Sequence, residues 1–209
     1  MGGNRISIKK HNNMKILLSF TIFLTIFFSN IGKVYSIEAD VFVQSTVNRA
    51  SEALNDKFSK EEKIEKLKQI ASETVNIDGI GRYTLGSYKN EITDDQMIEY
   101  KILFRQYFLK SFASRLAEYS NPEIEVVSKK KLNKNYTMVS SILVGTEQRP
   151  EVKIDWRIYT KKPENPLIRD LIIEGLSLAR TQKEEFSSII QSNDGDINAL
   201  FSTLKKFIK

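Results

Sequence analysis

The apolar residues of this chain change period twice, and that change limits the fold more than any single motif does. Up to Tyr119 they recur every three to four positions. From Glu123 to Gly175 they alternate, and from Gln182 to Phe207 they return to the helical spacing. Helices, then strands, then helices predict an α+β domain, with one antiparallel sheet of about four strands and helices packed on its apolar face.

The first helical stretch, Glu38 to Asp56, carries Val43, Val47, Ala50 and Leu54 on one stripe. A second, Ser59 to Thr74, carries Ile64, Leu67, Ile70 and Ala71, with a run of lysines and glutamates on its solvated face. Thr93-Asp-Asp-Gln96 has the spacing of a capping box and opens the longest helix, expected to reach Tyr119. Phe104, Phe108 and Phe112 recur four apart along it, so they share one face. Their aromatic density suits either ordinary core or the wall of a ligand cavity. Strands are expected over 123–131, 136–145, 151–160 and 167–175, with Leu132–Asn135 as the first turn. In the third, Val152, Ile154, Trp156 and Ile158 point one way, and Lys153, Asp155, Arg157 and Tyr159 the other. One apolar and one wet face describe a sheet covered on a single side. The closing helices are expected over 182–191 and 196–207.

Between the second and the longest helix lies the glycine-rich run 76–92, read as short helical turns that pack Ile80, Tyr83 and Leu85 inward. Gly79-Ile-Gly81 has no preceding strand and no Lys-Ser/Thr pair, so it is not a phosphate loop.

Residues 1–36 read as a cleavable signal peptide. A basic, acid-free start leads into the thirteen-residue apolar run Ile16–Phe28, and Val34-Tyr-Ser36 supplies a small residue at the cut. That run is short for a membrane span, which needs about 20 residues. Met14-Lys15 would itself open a compact leader, which makes 1–13 read as a misassigned start. The leader also alters the charge argument. The chain carries +6, but five of its 32 Lys/Arg lie in the leader. Residues 37–209 are left with 27 bases against 26 acids, a balance that gives no bulk reason to seek nucleic acid.

Those 173 residues form one expected domain with no cysteine and no histidine, since His11 precedes the cut. Disulfide frameworks, thiol chemistry, His- or Cys-based zinc sites and Ser-His-Asp triads are therefore unavailable. The paired acids Glu61/Glu62, Asp94/Asp95 and Glu184/Glu185 sit on helices, where neighbours point apart instead of converging on a cleft. Asp155 and Asp170 stand near Arg157 and Arg169, which suits ion pairs. No nucleophile, base and oxyanion donor can be assembled, so no enzyme activity and no cofactor are expected.

Two stretches carry a resemblance. One is Ile77-Asp-Gly-Ile-Gly-Arg-Tyr-Thr-Leu-Gly86, continuing through Tyr88 into the Thr93–Gln96 box. The other is Ile154-Asp-Trp-Arg157, then Ile168–Leu178 with its Asp170-x-x-x-Glu-Gly-x-Ser177 pattern, then Phe186–Ile190 and Gly195–Leu200. Together, over roughly residues 40–207, the chain resembles the periplasmic phospholipid-binding proteins of the toluene-tolerance, or maintenance-of-lipid-asymmetry, family. It departs from the family pattern at Lys89 and at Asn165-Pro166-Leu167, where the family commonly has tryptophan, and at Lys183, where it favours arginine.

The resemblance implies a phospholipid ligand held by its acyl chains in a deep pocket between helices and a curved sheet. It implies a periplasmic shuttle between an outer-membrane lipoprotein complex and an inner-membrane ABC transporter complex. Tyr83, Leu85, Phe104, Phe108, Phe112, Ile142, Ile154, Trp156 and Ile172 are the expected pocket lining. Two acyl chains expose on the order of thirty methylenes, or roughly 20–25 kcal/mol of apolar hydration. A carrier consequently needs a large dry cavity more than a few strong contacts. The competing readings are a protein-binding adapter with a solid core on the same scaffold and, further off, a carboxylate-based hydrolase. Export is expected to leave a chain that begins close to Ile37. N-terminal sequencing of the exported protein checks this, and retention of Lys15–Phe28 in a membrane fraction would overturn it.

Overall fold

Thr93 and Gln96 make the reciprocal cap expected of them. Thr93 Oγ1 accepts from the Gln96 amide at 3.2 Å, and the Thr93 amide donates to Gln96 Oε1 at 3.0 Å. A second box, Ser59 with Glu62, starts the preceding long helix. The computed structural model describes residues 36–147 and 149–209, so all of the expected leader except Ser36 lies outside the described residues. Within them the helices are α1 (Ala39–Ala53), α2 (Lys60–Thr74), α3 (Ile77–Thr84), α4 (Asp94–Leu116), α5 (Leu178–Gln191) and α6 (Ile197–Ile208). A 3-10 turn spans Tyr88–Asn90, and the strands are β1 (Ile124–Asn133), β2 (Tyr136–Leu143), β3 (Val152–Tyr159), β4 (Leu167–Ile173) and β5 (Leu176–Ser177).

The strands form one open, curved antiparallel meander in the order β1-β2-β3-β4-β5. This is the expected α+β fold with a fifth, two-residue strand added. The tight turn after β4 produces that strand. Glu174 (φ 48°) and Gly175 (φ 83°) both lie in the left-handed region, as two-residue hairpin loops demand. The first hairpin is tighter than expected, because β1 runs on to Asn133. Asn133 Oδ1 accepts from the amides of Asn135 and Tyr136, closing the turn on its own side chain. Helix α5 begins at Leu178, four residues earlier than its apolar pattern, because Ser177 caps the Arg180 amide. Helix α4 stops at Leu116, short of Tyr119.

Across the sheet the inner face is set by register. Val139 pairs with Trp156 and Trp156 with Leu171; Ser141 pairs with Ile154 and Ile154 with Ile173. Helix α1 lies on β1 and β2, α5 lies on β4, and α4 is flanked by α2 and α6. None of the described helices is long and apolar enough to cross a membrane. Residues Ser36–Lys209 cluster as one compact unit.

Two polar knots fix this arrangement. Around Tyr100, which is fully buried, the phenol hydroxyl lies 2.8 Å from Thr84 Oγ1 and donates to the Gly81 carbonyl at 3.2 Å. That closeness needs Gly81, where a Cβ would come within 2.7 Å of the Phe104 ring. The other knot is Asp170, which is buried and accepts from Ser177 Oγ at 2.6 Å and from the Ala179 amide at 3.0 Å. Arg157 Nη1 stands 3.6 Å from its carboxylate. The carboxylate expected to serve an ion pair thus also clamps the start of α5. The residue between, Arg169, is the extra one of a bulge, since Arg157 pairs with Asp170 and Ile158 with Ile168.

Burial, partly offset by the Thr84 hydrogen bond, pushes the Tyr100 phenol well above the usual tyrosine range. An acid whose folded pKa is raised binds its proton longer folded than unfolded, so its contribution to stability is lost as pH climbs past the unfolded value of about 10. Denaturant unfolding between about pH 9 and pH 11 should show stability falling. In Tyr100→Phe the fall should be shallower by about one proton's slope, with about 1 kcal/mol lost at neutral pH.

Candidate functional site

Between the inner face of the sheet and helices α1, α2, α4 and α5 the core is not filled. An apolar hollow of about 330 Å³ remains. Val47 and Ala50 of α1, with Leu54 just past its end, wall one side, and Leu67, Ile70 and Ala71 of α2 continue it. Phe104, Phe108, Phe112 and Leu116 come from α4, while Leu143, Ile154, Trp156, Leu171 and Ile173 form the sheet floor. The floor's one indole N–H is satisfied internally, since Trp156 Nε1 donates to Ser141 Oγ at 2.8 Å. This leaves the ring face apolar toward the hollow.

The α4 aromatics belong to a continuous cluster. Phe108 and Phe112 stack at 5.6 Å between centroids, and Phe104 meets Phe186 of α5 edge-on at 6.2 Å. Tyr100 extends the cluster to Phe201 of α6 at 6.3 Å. One end of α4 is therefore solid core, and the other borders empty space.

Polar groups gather where the hollow opens. Its only exposed lining residues among those described are Arg115 on α4 and Leu178 and Glu185 on α5, so the mouth lies between these helices. Tyr107 spans the cleft, its hydroxyl donating to Gln182 Oε1 at 2.9 Å. Burial, reinforced by the negative charge of Glu185, holds the Tyr107 phenol above its ordinary range. Among the described residues no group of three or more His, Cys, Asp or Glu could hold a metal ion.

Of the nine expected lining residues, Phe104, Phe108, Phe112, Ile154 and Trp156 border the hollow. The other four do not. Leu85 is fully buried in solid core beside the hollow. Tyr83 points outward, 43% exposed, with the Lys183 ammonium over its ring. It edges a separate polar hollow with Arg157 and Arg169. Ile142 pairs with Lys153, and Ile172 with Asp155, which places both on the outer sheet face. Both strands have apolar residues on each face, so alternation alone does not fix their parity. The walls from α1 and α2 escaped the sequence reading for a similar reason: an apolar stripe looks the same against a neighbour or a void.

With this geometry in view, the comparisons with known proteins are decisive for the family. The chain matches the family described as MlaC protein over residues 44–206. It belongs to that family. Among curated proteins no sequence matches it. Among solved structures it is similar to the phospholipid-binding protein from Ralstonia solanacearum, determined in complex with a phospholipid at 1.53 Å resolution. The TM-score is 0.68 at 19% identity, covering 82% of this chain and 97% of that one. At this identity the likeness speaks for the fold.

The position of each phenylalanine predicts its energetic role. Phe104 is 2% exposed and touches aromatic rings on several sides, so Phe104→Ala should cost about 3–5 kcal/mol. Phe108→Ala and Phe112→Ala remove rings that already border open space, and each should cost clearly less. Chemical denaturation of the three delipidated variants measures this, and equal losses would mean the hollow closes in solution.

Proposed function

We propose that this MlaC-family protein is a non-enzymatic phospholipid carrier of the periplasm. It holds acyl chains in the hollow beneath α4 and leaves the headgroup at the α4–α5 mouth. It takes lipid from, and delivers it to, an outer-membrane lipoprotein complex and an inner-membrane ABC transporter complex. The observation that carries this reading is the unfilled apolar space itself, walled by phenylalanines and by Trp156 and open at one polar rim. Family membership and the phospholipid held by the similarly folded Ralstonia protein support it.

The physical logic favours binding over chemistry. An acyl chain needs apolar surface on all sides and no reactive group, and this wall offers that. The polar atoms nearest the chains, those of Trp156, Ser141 and Tyr107, have hydrogen-bond partners within the protein. Bound lipid would replace a void with close contacts along the whole chain length, which is where dispersion and dehydration both contribute.

Lipids extracted from the purified domain should include phospholipid near one molecule or more per chain by mass spectrometry. After delipidation, phospholipid brominated on its acyl chains should quench Trp156, the chain's one tryptophan. If no lipid co-purifies and added lipid leaves both emission and thermal stability unchanged, the carrier reading fails and a protein-binding adapter takes its place.

A further inference from the structure

The mouth of the hollow carries two opposite charges that do not neutralise each other. Arg115 lies in the last turn of α4, and Glu185 lies two turns into α5 across the cleft. Both are exposed, and both line the hollow. Among the described residues neither takes part in a salt bridge. Glu185 is oriented by its own helix, since Gln182 Nε2 donates to Glu185 Oε2 at 2.8 Å. Gln182 is in turn tied to α4 by Tyr107. The Tyr107 phenol feels both charges, Glu185 raising its pKa and Arg115 lowering it.

Neighbouring charges are already engaged. Lys110 donates to the carbonyls of Phe207 and Ile208 at the end of α6, and Glu118 pairs with Lys60 at 2.5 Å. Lys183 covers Tyr83 on the far side of α5, and the Arg149 guanidinium lies over the Tyr119 ring. Among the described residues that line the hollow, the exposed charges are one guanidinium and one carboxylate, on opposite banks of an apolar well.

We propose that this rim selects the lipid headgroup: Arg115 pairs with the phosphodiester and Glu185 with a primary ammonium, giving preference to zwitterionic aminophospholipid over anionic phospholipid with the same acyl chains. The inference rests on the carrier reading and adds a specificity to it. A phosphoethanolamine head carries its two charges in the same chemical order as the rim. A phosphoglycerol head offers Glu185 no cation, so its anionic phosphate meets one attraction and one repulsion. Because both side chains are exposed, the effect is modest, on the order of a two- to fivefold preference. It should also be screened by salt, since the Debye length shrinks to about 3 Å at 1 M.

The test loads delipidated mature protein from vesicles of phosphatidylethanolamine and phosphatidylglycerol in equal amounts, with matched acyl chains, and counts bound lipids by mass spectrometry. The wild type should take up the ethanolamine lipid in about two- to fivefold excess at low salt, with the excess shrinking toward unity at high salt. Glu185→Gln should bring the ethanolamine-to-glycerol ratio to about one. Arg115→Gln should lower phospholipid uptake relative to diacylglycerol of the same chains by a similar factor. Water-soluble glycerophosphoethanolamine in excess should leave the bound composition unchanged. A wild-type ratio of one, a Glu185→Gln ratio equal to that of the wild type, or competition by the soluble headgroup would each overturn the proposal. If lipid loads normally in those cases the carrier reading survives, whereas a wild type that takes up no lipid removes both. Thermal unfolding of each variant confirms that the fold is intact, which exposed positions favour.

Discussion

An apolar hollow is a standing cost to the chain that contains it, and this fold is arranged around carrying that cost. At roughly 24 cal/mol per Å³, an enclosed void of about 330 Å³ would cost on the order of 8 kcal/mol. That is comparable to the whole stability of an ordinary domain, roughly 5–15 kcal/mol. A soft scaffold would collapse and fill the space with its own side chains. The walls have to be held apart by groups that are themselves fixed by buried hydrogen bonds.

The two polar knots do this from opposite sides. Tyr100, Thr84 and the Gly81 carbonyl lock α3 to the solid end of α4, with Phe186 and Phe201 packed against the Tyr100 ring. Asp170 pins the start of α5 to β4 through Ser177 and the Ala179 amide. Removing one partner of such a buried group leaves the other unsatisfied, so each knot resists loosening more strongly than its net hydrogen-bond energy suggests. Surface ion pairs such as Arg49 with Glu73, joining α1 to α2, are exposed and add little. Rigidity is thus concentrated in the sheet, α3 and the upper half of α4. The walls facing the hollow are left to apolar side chains that have no competing partners.

This division explains what was legible in the sequence. Local signals carried through: the Thr93–Gln96 box, the one-sided strand holding Trp156, and the i, i+4 spacing of Phe104, Phe108 and Phe112 are all decided within a few residues. Glycine positions were visible as well, but their purpose was not. Gly79 and Gly81 make way for Arg169 and Phe104, neighbours far off in sequence. Strand parity failed at Ile142 and Ile172 because Tyr136–Leu143 and Leu167–Ile173 are apolar on both faces. In β4 the extra residue Arg169 also interrupts the alternation. The fifth strand depended on a positive φ at Glu174, a residue whose type does not announce it. The hollow itself has no sequence signature. The stripes on α1 and α2 would be written the same way for a filled core, and only the distance at which the knots hold the sheet from the helices separates the two.

The same division bears on how a ligand could enter. The parts that hold the walls apart are those least able to move, so an opening motion has to come from elements outside the knots. The mouth is bordered by the lower half of α4 and the first turns of α5, and α5 is pinned at its very start by Asp170. Among the described residues the direct polar tie between these banks is the bond from Tyr107 to Gln182, accompanied by the tilted ring contact of Tyr107 with Phe186 at 5.8 Å. One neutral hydrogen bond contributes about 1 kcal/mol net, little beside the apolar area that two acyl chains would bury. The weakest link across the cleft therefore coincides with the place where the hollow reaches solvent. In the proposed carrier, lipid passes through this seam without disturbing the groups that keep the empty form from collapsing.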